Sequence, residues 1–301
     1  MKKLYPLLSV LFLIYWGCES SIKKKSFHEN WKVESQLTKR INNVNFNFPE
    51  NFIDLDRRES LIKETFVSIK EISESIRIEL KDTIYVRFVL TREDMKPLTN
   101  YKPSGMVFPH IKTCYLVLND KTPTPLKHEL THLIVMLGWG HPHQTSIWMN
   151  EGLSTYQVNN CNGYSVSELY RYFLEKKKLI DTNSLTSNFY GNSEMISYHQ
   201  SGQIVRYLLE NYSLEQFEEL WKTGLDNFQI IYGKKFLSII DEMENELQNN
   251  YPDVIDLDFD LFMEGIVFEW LEWNGTTKND WFFALWWGAV AVWFLYGIAM
   301  L

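Results

Sequence analysis

Cysteine, glycine and proline are all scarce in this chain of 301 residues, at 3, 14 and 9. Three cysteines cannot staple a fold together, and so little glycine and proline excludes collagen-like, mucin-like and proline-rich linker architectures. Positive charge is short as well. Lys and Arg number 30 against 38 Asp and Glu, a formal charge of −8 without a long basic run. Such a surface is a poor partner for nucleic acid. The remainder is ordinary globular material, 45 % hydrophobic and 23 % charged, which argues against disorder and suffices for a sizeable core. Long apolar runs are missing from the middle and concentrated at the two ends.

Those ends read as targeting and anchoring segments. Residues 1–18 carry Met1-Lys2-Lys3, an apolar stretch from Leu4 to Trp16, then Gly17-Cys18. A positive start, a short apolar core and a small residue before the cut site describe a secretory signal, too short to span a bilayer. The placement of Cys18 resembles a bacterial lipoprotein signal, in which that cysteine is acylated. Tyr15-Trp16 departs from its usual Leu and small residue, and a plain signal peptide is the alternative. At the other end, Trp281 to Leu301 is 21 residues without a charge. At about 1.5 Å per residue this helix spans roughly 30 Å, the hydrocarbon thickness of a membrane. Trp281, Trp286 and Trp287 suit its interface; a buried core helix is the alternative. The expected location is a bacterial cell membrane, with residues 19–280 on the exported side and membrane lipid as a partner.

Between the ends, the pattern predicts an α+β fold: a short mixed sheet, then a mainly helical half. Asp56-Arg57-Arg58-Glu59 has capping-box spacing, and Leu61, Ile62, Phe66, Ile69, Ile76 and Leu80 follow at near-helical intervals. Thr83 to Thr91 alternates as a half-buried strand, with Ile84, Val86, Phe88 and Leu90 on one face. A turn-rich stretch with Pro97, Pro103 and Gly105 leads to a second strand near Thr113 to Leu118. This divides the chain into a signal (1–18), a lead-in (19–50), a domain (51–250), a juxtamembrane segment (251–280) and the membrane helix (281–301).

The chemistry concentrates in His128-Glu129-Leu130-Thr131-His132. Thr124 and Pro125 read as N-cap and first residue of a helix, and Gly138 as its stop. Histidines four apart share a helix face, so both imidazoles can reach one metal ion while Glu129 projects to its side. The neighbouring Leu126, Leu130, Leu133, Ile134 and Leu137 are apolar. Burying two histidines and a glutamate among them is costly unless a cation compensates. Two core histidines would give the same string, so a third ligand decides. The metzincin continuation is absent, because Val135 and Gly138 stand where it needs Gly and His. Instead Trp148-Met149-Asn150-Glu151-Gly152 follows, with Glu151 nineteen positions after His132.

This pair of motifs resembles the gluzincin metallopeptidases, and most of all the small bacterial peptidase-MA-like proteins, over roughly residues 80–240. The resemblance implies a zincin-like domain that hydrolyses peptide bonds in a peptide or protein substrate. His128, His132 and Glu151 would bind Zn2+, Glu129 would be the general base, and the strand near 113–118 would be the sheet edge for an extended peptide. Relatives stabilise the oxyanion with a Tyr or His from a later helix. Here Tyr198 and His199 open the helical stretch Ser197 to Asn211, and Tyr198 fits that pattern better. Asn150 is placed to support the zinc ligands from behind. Thr155 stands where thermolysin-like enzymes carry an Asp, which leaves the support of the first histidine unassigned. His141 and His143 sit in the connecting loop, where they could touch substrate or a second ion, although loop histidines are usually solvated. Cys114 and Cys161 could pair or stay free. The competing function is a non-catalytic binding or sensing module that keeps the fold.

Overall fold

The computed structural model describes residues 36–100, 102–118, 123–259 and 262. The signal at 1–18, with Cys18, and the apolar segment 281–301 lie outside them. No helix among the described residues is long and apolar enough to cross a membrane.

The architecture is α+β: a five-stranded mixed sheet followed by a mainly helical half. Strands β1 (Gln36–Ile41) and β2 (Val44–Pro49) form an antiparallel hairpin that turns at Asn42, whose φ is 52°. Asparagine tolerates that left-handed conformation better than most residues. The sheet therefore begins inside the stretch read from sequence as a lead-in. Helix α1 (Leu55–Ile76) crosses over to β3 (Ile84–Val89), which lies parallel to β2. Helix α2 (Arg92–Thr99) and β4 (Gly105–Phe108) lead into β5 (Thr113–Val117). The spatial order is β1-β2-β3-β5-β4, with β5 parallel to β3 and antiparallel to β4.

That order corrects the sequence reading of the sheet edge. The strand near 113–118 is interior, and all five of its residues are buried. Edge position falls to β4, four half-buried residues in the stretch expected to be only a turn. Helix α2 was hidden in the same stretch by Pro97. Its start is nonetheless a reciprocal capping box, Thr91 with Asp94, and Pro97 sits late in a helix of eight residues. The cap of α1 is Asp54, not Asp56: its Oδ1 accepts from Arg57 N at 2.8 Å. The helix ends at Ile76 with Arg77 in the left-handed conformation, so Leu80 packs from beyond it.

One face of the sheet carries the main core. Val44, Phe46, Phe48, Ile84, Val86, Phe88, Cys114 and Leu116 meet Leu61, Ile62, Ile72 and Ile76 of α1. Phe48 and Phe88 stack across β2 and β3 at 4.7 Å and 8°. The same core continues into α3 (Leu126–Gly138) through Leu126, Leu130, Leu133 and Ile134. Helix α3 starts with Pro125 as its cap and no side-chain cap bond, because Thr124 Oγ1 donates instead to Val117 O. Gly138 is the last helical residue rather than a left-handed stop. A Cβ there would lie 2.5 Å from Ile78 Cδ1, so it allows close packing, and the positive φ falls on Gly140.

The helical half begins with α4 (Ile147–Val158) and α5 (Val166–Glu175). A short α6 (Thr182–Ser187) and a 3-10 turn at Phe189–Gly191 precede α7 (Glu194–Asn211). Helices α8 (Leu214–Thr223), α9 (Phe228–Tyr232) and α10 (Phe236–Asn250) complete it. The loop from α3 to α4 is tied to α8 by Trp221 Nε1 donating to Gly140 O at 3.0 Å and His143 N donating to Trp221 O at 2.8 Å. Ser146 Oγ also donates to Leu220 O at 3.0 Å. Those bonds fix how α4 returns across α3.

Helices α4 and α7 approach so closely that Gly152 has no room for a side chain. A Cβ at this position would lie 2.7 Å from Ser201 O and 2.8 Å from its carbonyl carbon. Neither atom can rotate away. Gly152→Ala gains up to about 1 kcal/mol of helix propensity but incurs overpacking of roughly 1–3 kcal/mol. The expected net result is a lower urea midpoint with an unchanged slope; a variant as stable as the parent would show that the helix crossing is not constrained here.

Candidate metal centre

The site is built from three helices and one turn. Helix α3 contributes His128, Glu129 and His132 from successive turns, and α4 contributes Asn150, Glu151 and Ser154. The turn at Phe189–Gly191 and the first half of α7 close it with Tyr190 and Tyr198. Both α3 and α4 are apolar on almost every side because they lie between the sheet and the helical half, so Glu129, His132, Asn150, Glu151 and Ser154 are buried with them, while His128 is half-buried.

His128, His132 and Glu151 each turn one ligand-type atom to a common point. His128 Nε2 and His132 Nε2 are 3.1 Å apart, and Glu151 Oε2 lies 3.3 and 3.2 Å from them. Ligand atoms about 2.0–2.1 Å from a tetrahedral ion are separated by roughly 3.3–3.4 Å. The observed spacing fits such a set.

Hydrogen bonding strengthens the fit. His132 Nδ1 donates to Asn150 Oδ1 at 2.8 Å, and Ser154 Oγ lies 3.1 Å from the same nitrogen. With its proton on Nδ1, neutral His132 presents a lone pair at Nε2. Glu151 Oε2 is buried and makes no hydrogen bond. A buried carboxylate oxygen whose polar neighbours are two imidazole nitrogens calls for positive charge among them, supplied by a proton on His132 or by a cation. Protonation responds to the same field. Burial lowers the pKa of His132, but Glu151, Glu129 and the Asn150 bond outweigh it and push it up to about 9. Burial raises that of Glu151, yet the two histidines hold it far below the usual carboxylate range. The donor set of two imidazoles and a carboxylate suits a divalent transition-metal ion.

Glu129 is buried beside this cluster without joining it. Its pKa is raised, by burial first; His128 and His132 oppose the shift and Glu151 adds to it. Its carboxyl lies against Gly105, the first residue of the edge strand, where a Cβ would come within 2.5 Å of Glu129 Cγ. Gly105 was read only as a turn residue, so the sequence signal for this contact passed unrecognised.

Tyr198 is brought to the site, its ring nearly parallel to that of His128 at 6.0 Å and 16°. Burial, then Glu151 and Glu194, raise its pKa well above the usual value, so the phenol stays protonated. His199 turns away, donating from Nδ1 to Met195 O at 2.8 Å, and burial lowers its pKa to about 4. His143 braces the α3–α4 loop through Thr145 Oγ1 at 2.9 Å, while His141 is exposed. Neither histidine belongs to the cluster. Cys114 and Cys161 are both free thiols, one in the interior strand and one in the bridge before α5. Tyr190 is the residue that sequence reading missed. Its hydroxyl donates to Glu151 Oε1 at 2.8 Å. The only hint was an aromatic shortly before the α7 motif, and spacing alone does not bring a loop tyrosine to a buried carboxylate.

The Asn150 bond yields a direct test. Asn150→Ala should lower metal affinity about 10- to 100-fold, the usual effect of losing the partner behind a ligating imidazole, while the metal-free protein melts at the parent temperature. Competition against a chelator measures the first and calorimetry the second. Unchanged affinity would show that His132 needs no such orientation.

The comparisons with known proteins agree with this geometry. No curated protein matches the sequence. Residues 105–236, less than half of the chain, match the profile Peptidase_MA_2, described as Peptidase MA superfamily. The match begins at Gly105, spans all the residues of the cluster and ends at the start of α10. It supports a zincin-like metallopeptidase family for this part of the chain.

Proposed function

We propose that the protein is a zinc-dependent metallopeptidase held at a bacterial membrane. The observation that carries this reading is the convergence of His128 Nε2, His132 Nε2 and Glu151 Oε2 within 3.1–3.3 Å of one another, with His132 and Glu151 buried and His128 half-buried. A general base stands beside them in Glu129.

His128, His132 and Glu151 would hold the ion, with Asn150 and Ser154 behind His132. When bound, zinc lowers the pKa of a water toward neutrality and polarises the carbonyl under attack. Glu129 would accept a proton from the attacking water at its carboxylate, and burial already raises its proton affinity above that of an ordinary carboxylate. As the peptide C–N bond breaks, the same carboxylate returns the proton to the departing amine nitrogen. Tyr198 keeps its phenolic proton and donates it as a hydrogen bond toward the carbonyl oxygen as negative charge develops. The substrate lies extended along β4, the terminal strand on the side of Glu129, adding backbone hydrogen bonds as a further strand. This role moves from the strand near 113–118 to β4 because β5 already has neighbours on both sides.

Anchoring rests on the sequence: a signal with Cys18 at one end and the apolar segment 281–301 at the other. An acyl chain alone gives marginal attachment, whereas a spanning helix is effectively permanent. Together they would place the domain on the exported face. Intact ligands and an intact Glu129 favour an enzyme over a binding or sensing module.

Two variants separate binding from chemistry. The parent should carry close to one zinc per chain by atomic emission, and Glu151→Ala should lose most of it. Glu129→Gln should keep the zinc and lose peptidase activity by several orders of magnitude, because the amide preserves shape but accepts no proton. A parent and a Glu129→Gln variant that hold zinc equally and are equally inert on peptide libraries would favour the binding module.

A further inference from the structure

The two oxygens of Glu151 have different surroundings. Oε2 faces both imidazoles and has no hydrogen bond, whereas Oε1 accepts the Tyr190 hydroxyl at 2.8 Å. Tyr190 is an unusual donor for a buried carboxylate, because the residue is 59 % exposed. Little apolar burial holds it there. Its placement comes from the turn that carries it. Phe189 is buried and packs on Tyr198 at 5.4 Å, and its ring meets that of Tyr190 edge-on at 5.2 Å.

The turn is braced from within. Asn192 Nδ2 donates to Asn188 O at 2.8 Å and to Ser184 O at 3.1 Å, and Ser184 Oγ donates to Asn192 Oδ1 at 3.0 Å. Gly191 N donates to Asn188 O at 3.0 Å, and a Cβ on Gly191 would lie 2.3 Å from Asn188 Nδ2. An exposed tyrosine is thus delivered to one oxygen of Glu151 by a turn with its own hydrogen-bond frame.

We propose that Tyr190 is a positioning residue of the metal centre, whose hydroxyl occupies Glu151 Oε1 so that only Oε2 is left to ligate. The inference rests on the metal-centre reading and adds to it how the carboxylate binds. Carboxylates bind metals through one oxygen or both, and a donor fixed on one oxygen selects the first mode and holds the carboxylate plane. The ring's exposure also puts this control within reach of solvent.

The test uses Co2+ as a spectroscopic replacement for zinc in the full chain, comparing the parent with Tyr190→Phe and Tyr190→Ala. Removing the hydroxyl alone should weaken Zn2+ binding about tenfold or more. It should also lower the intensity of the visible Co2+ bands, as a carboxylate free to bind through both oxygens raises the coordination number. The melting temperature of metal-free Tyr190→Phe should match the parent. If Tyr190→Phe has the parent's affinity and spectrum and only Tyr190→Ala is impaired, the ring acts through packing and the inference is overturned. An affinity loss without a spectral change, or with a lower metal-free melting temperature, overturns it as well. A parent that binds neither ion overturns the metal-centre reading itself, which distinguishes the two failures.

Discussion

Two imidazole nitrogens and a carboxylate oxygen, mutually 3.1–3.3 Å apart and largely withdrawn from water, call for positive charge among them. Much of the helical half is arranged around that constraint. Helix α3 is apolar on nearly all sides, so its histidines are carried inward with Leu130 and Leu133 rather than left at a surface. Helix α4 must then bring Glu151 to within bonding distance, and close packing between α4 and α7 at Gly152 seats it there. Asn150 and Tyr190 each take one of the remaining hydrogen-bonding positions, behind His132 and on the far oxygen of Glu151. The three ligand-type atoms left over face one common position.

The sheet serves the same site from the other side. Its interior strands, β2, β3 and β5, build the core on which α1 and α3 lie. The edge strand β4 begins at Gly105, where the missing side chain admits the carboxyl of Glu129. One residue without a Cβ therefore links the sheet edge, the place for an extended peptide, to the group proposed as general base. The same economy recurs at Gly138 against Ile78 and at Gly152 against Ser201. In a chain poor in glycine, these three stand among the positions where backbones or side chains must touch.

The parts legible in the sequence are those with a local signature. His128 and His132 were readable because four-residue spacing is geometry on a helix, Glu151 only through the resemblance of Trp148-Met149-Asn150-Glu151-Gly152 to a family motif, and the strand at Ile84–Val89 because alternation is geometry on a sheet. Capping boxes at Thr91, Ser165 and Ser213 mark three helix starts in the structure, yet only the first lay in a stretch whose prolines argued for turns. Strand β4 has no such mark. It is four residues long, contains a glycine and is half-buried throughout, so neither length nor period announces it. The position of β5 inside the sheet depends on β4 and could not be read without it. Tyr190 was hidden for a related reason: its role depends on a turn folding back onto a helix 39 residues earlier in the chain, a relation that no periodicity encodes.

The central claim is that the three side chains form a metal centre, and the most direct measurement is X-ray absorption fine structure at the zinc edge of the purified protein loaded with one equivalent of Zn2+. The account predicts a first shell of nitrogen and oxygen at about 2.0–2.1 Å with the outer-shell scattering of two imidazoles and no sulfur. In His132→Ala the imidazole scattering should fall by half. A zinc ion held by sulfur, a shell without imidazole scattering, or a spectrum that His132→Ala leaves unchanged would contradict it.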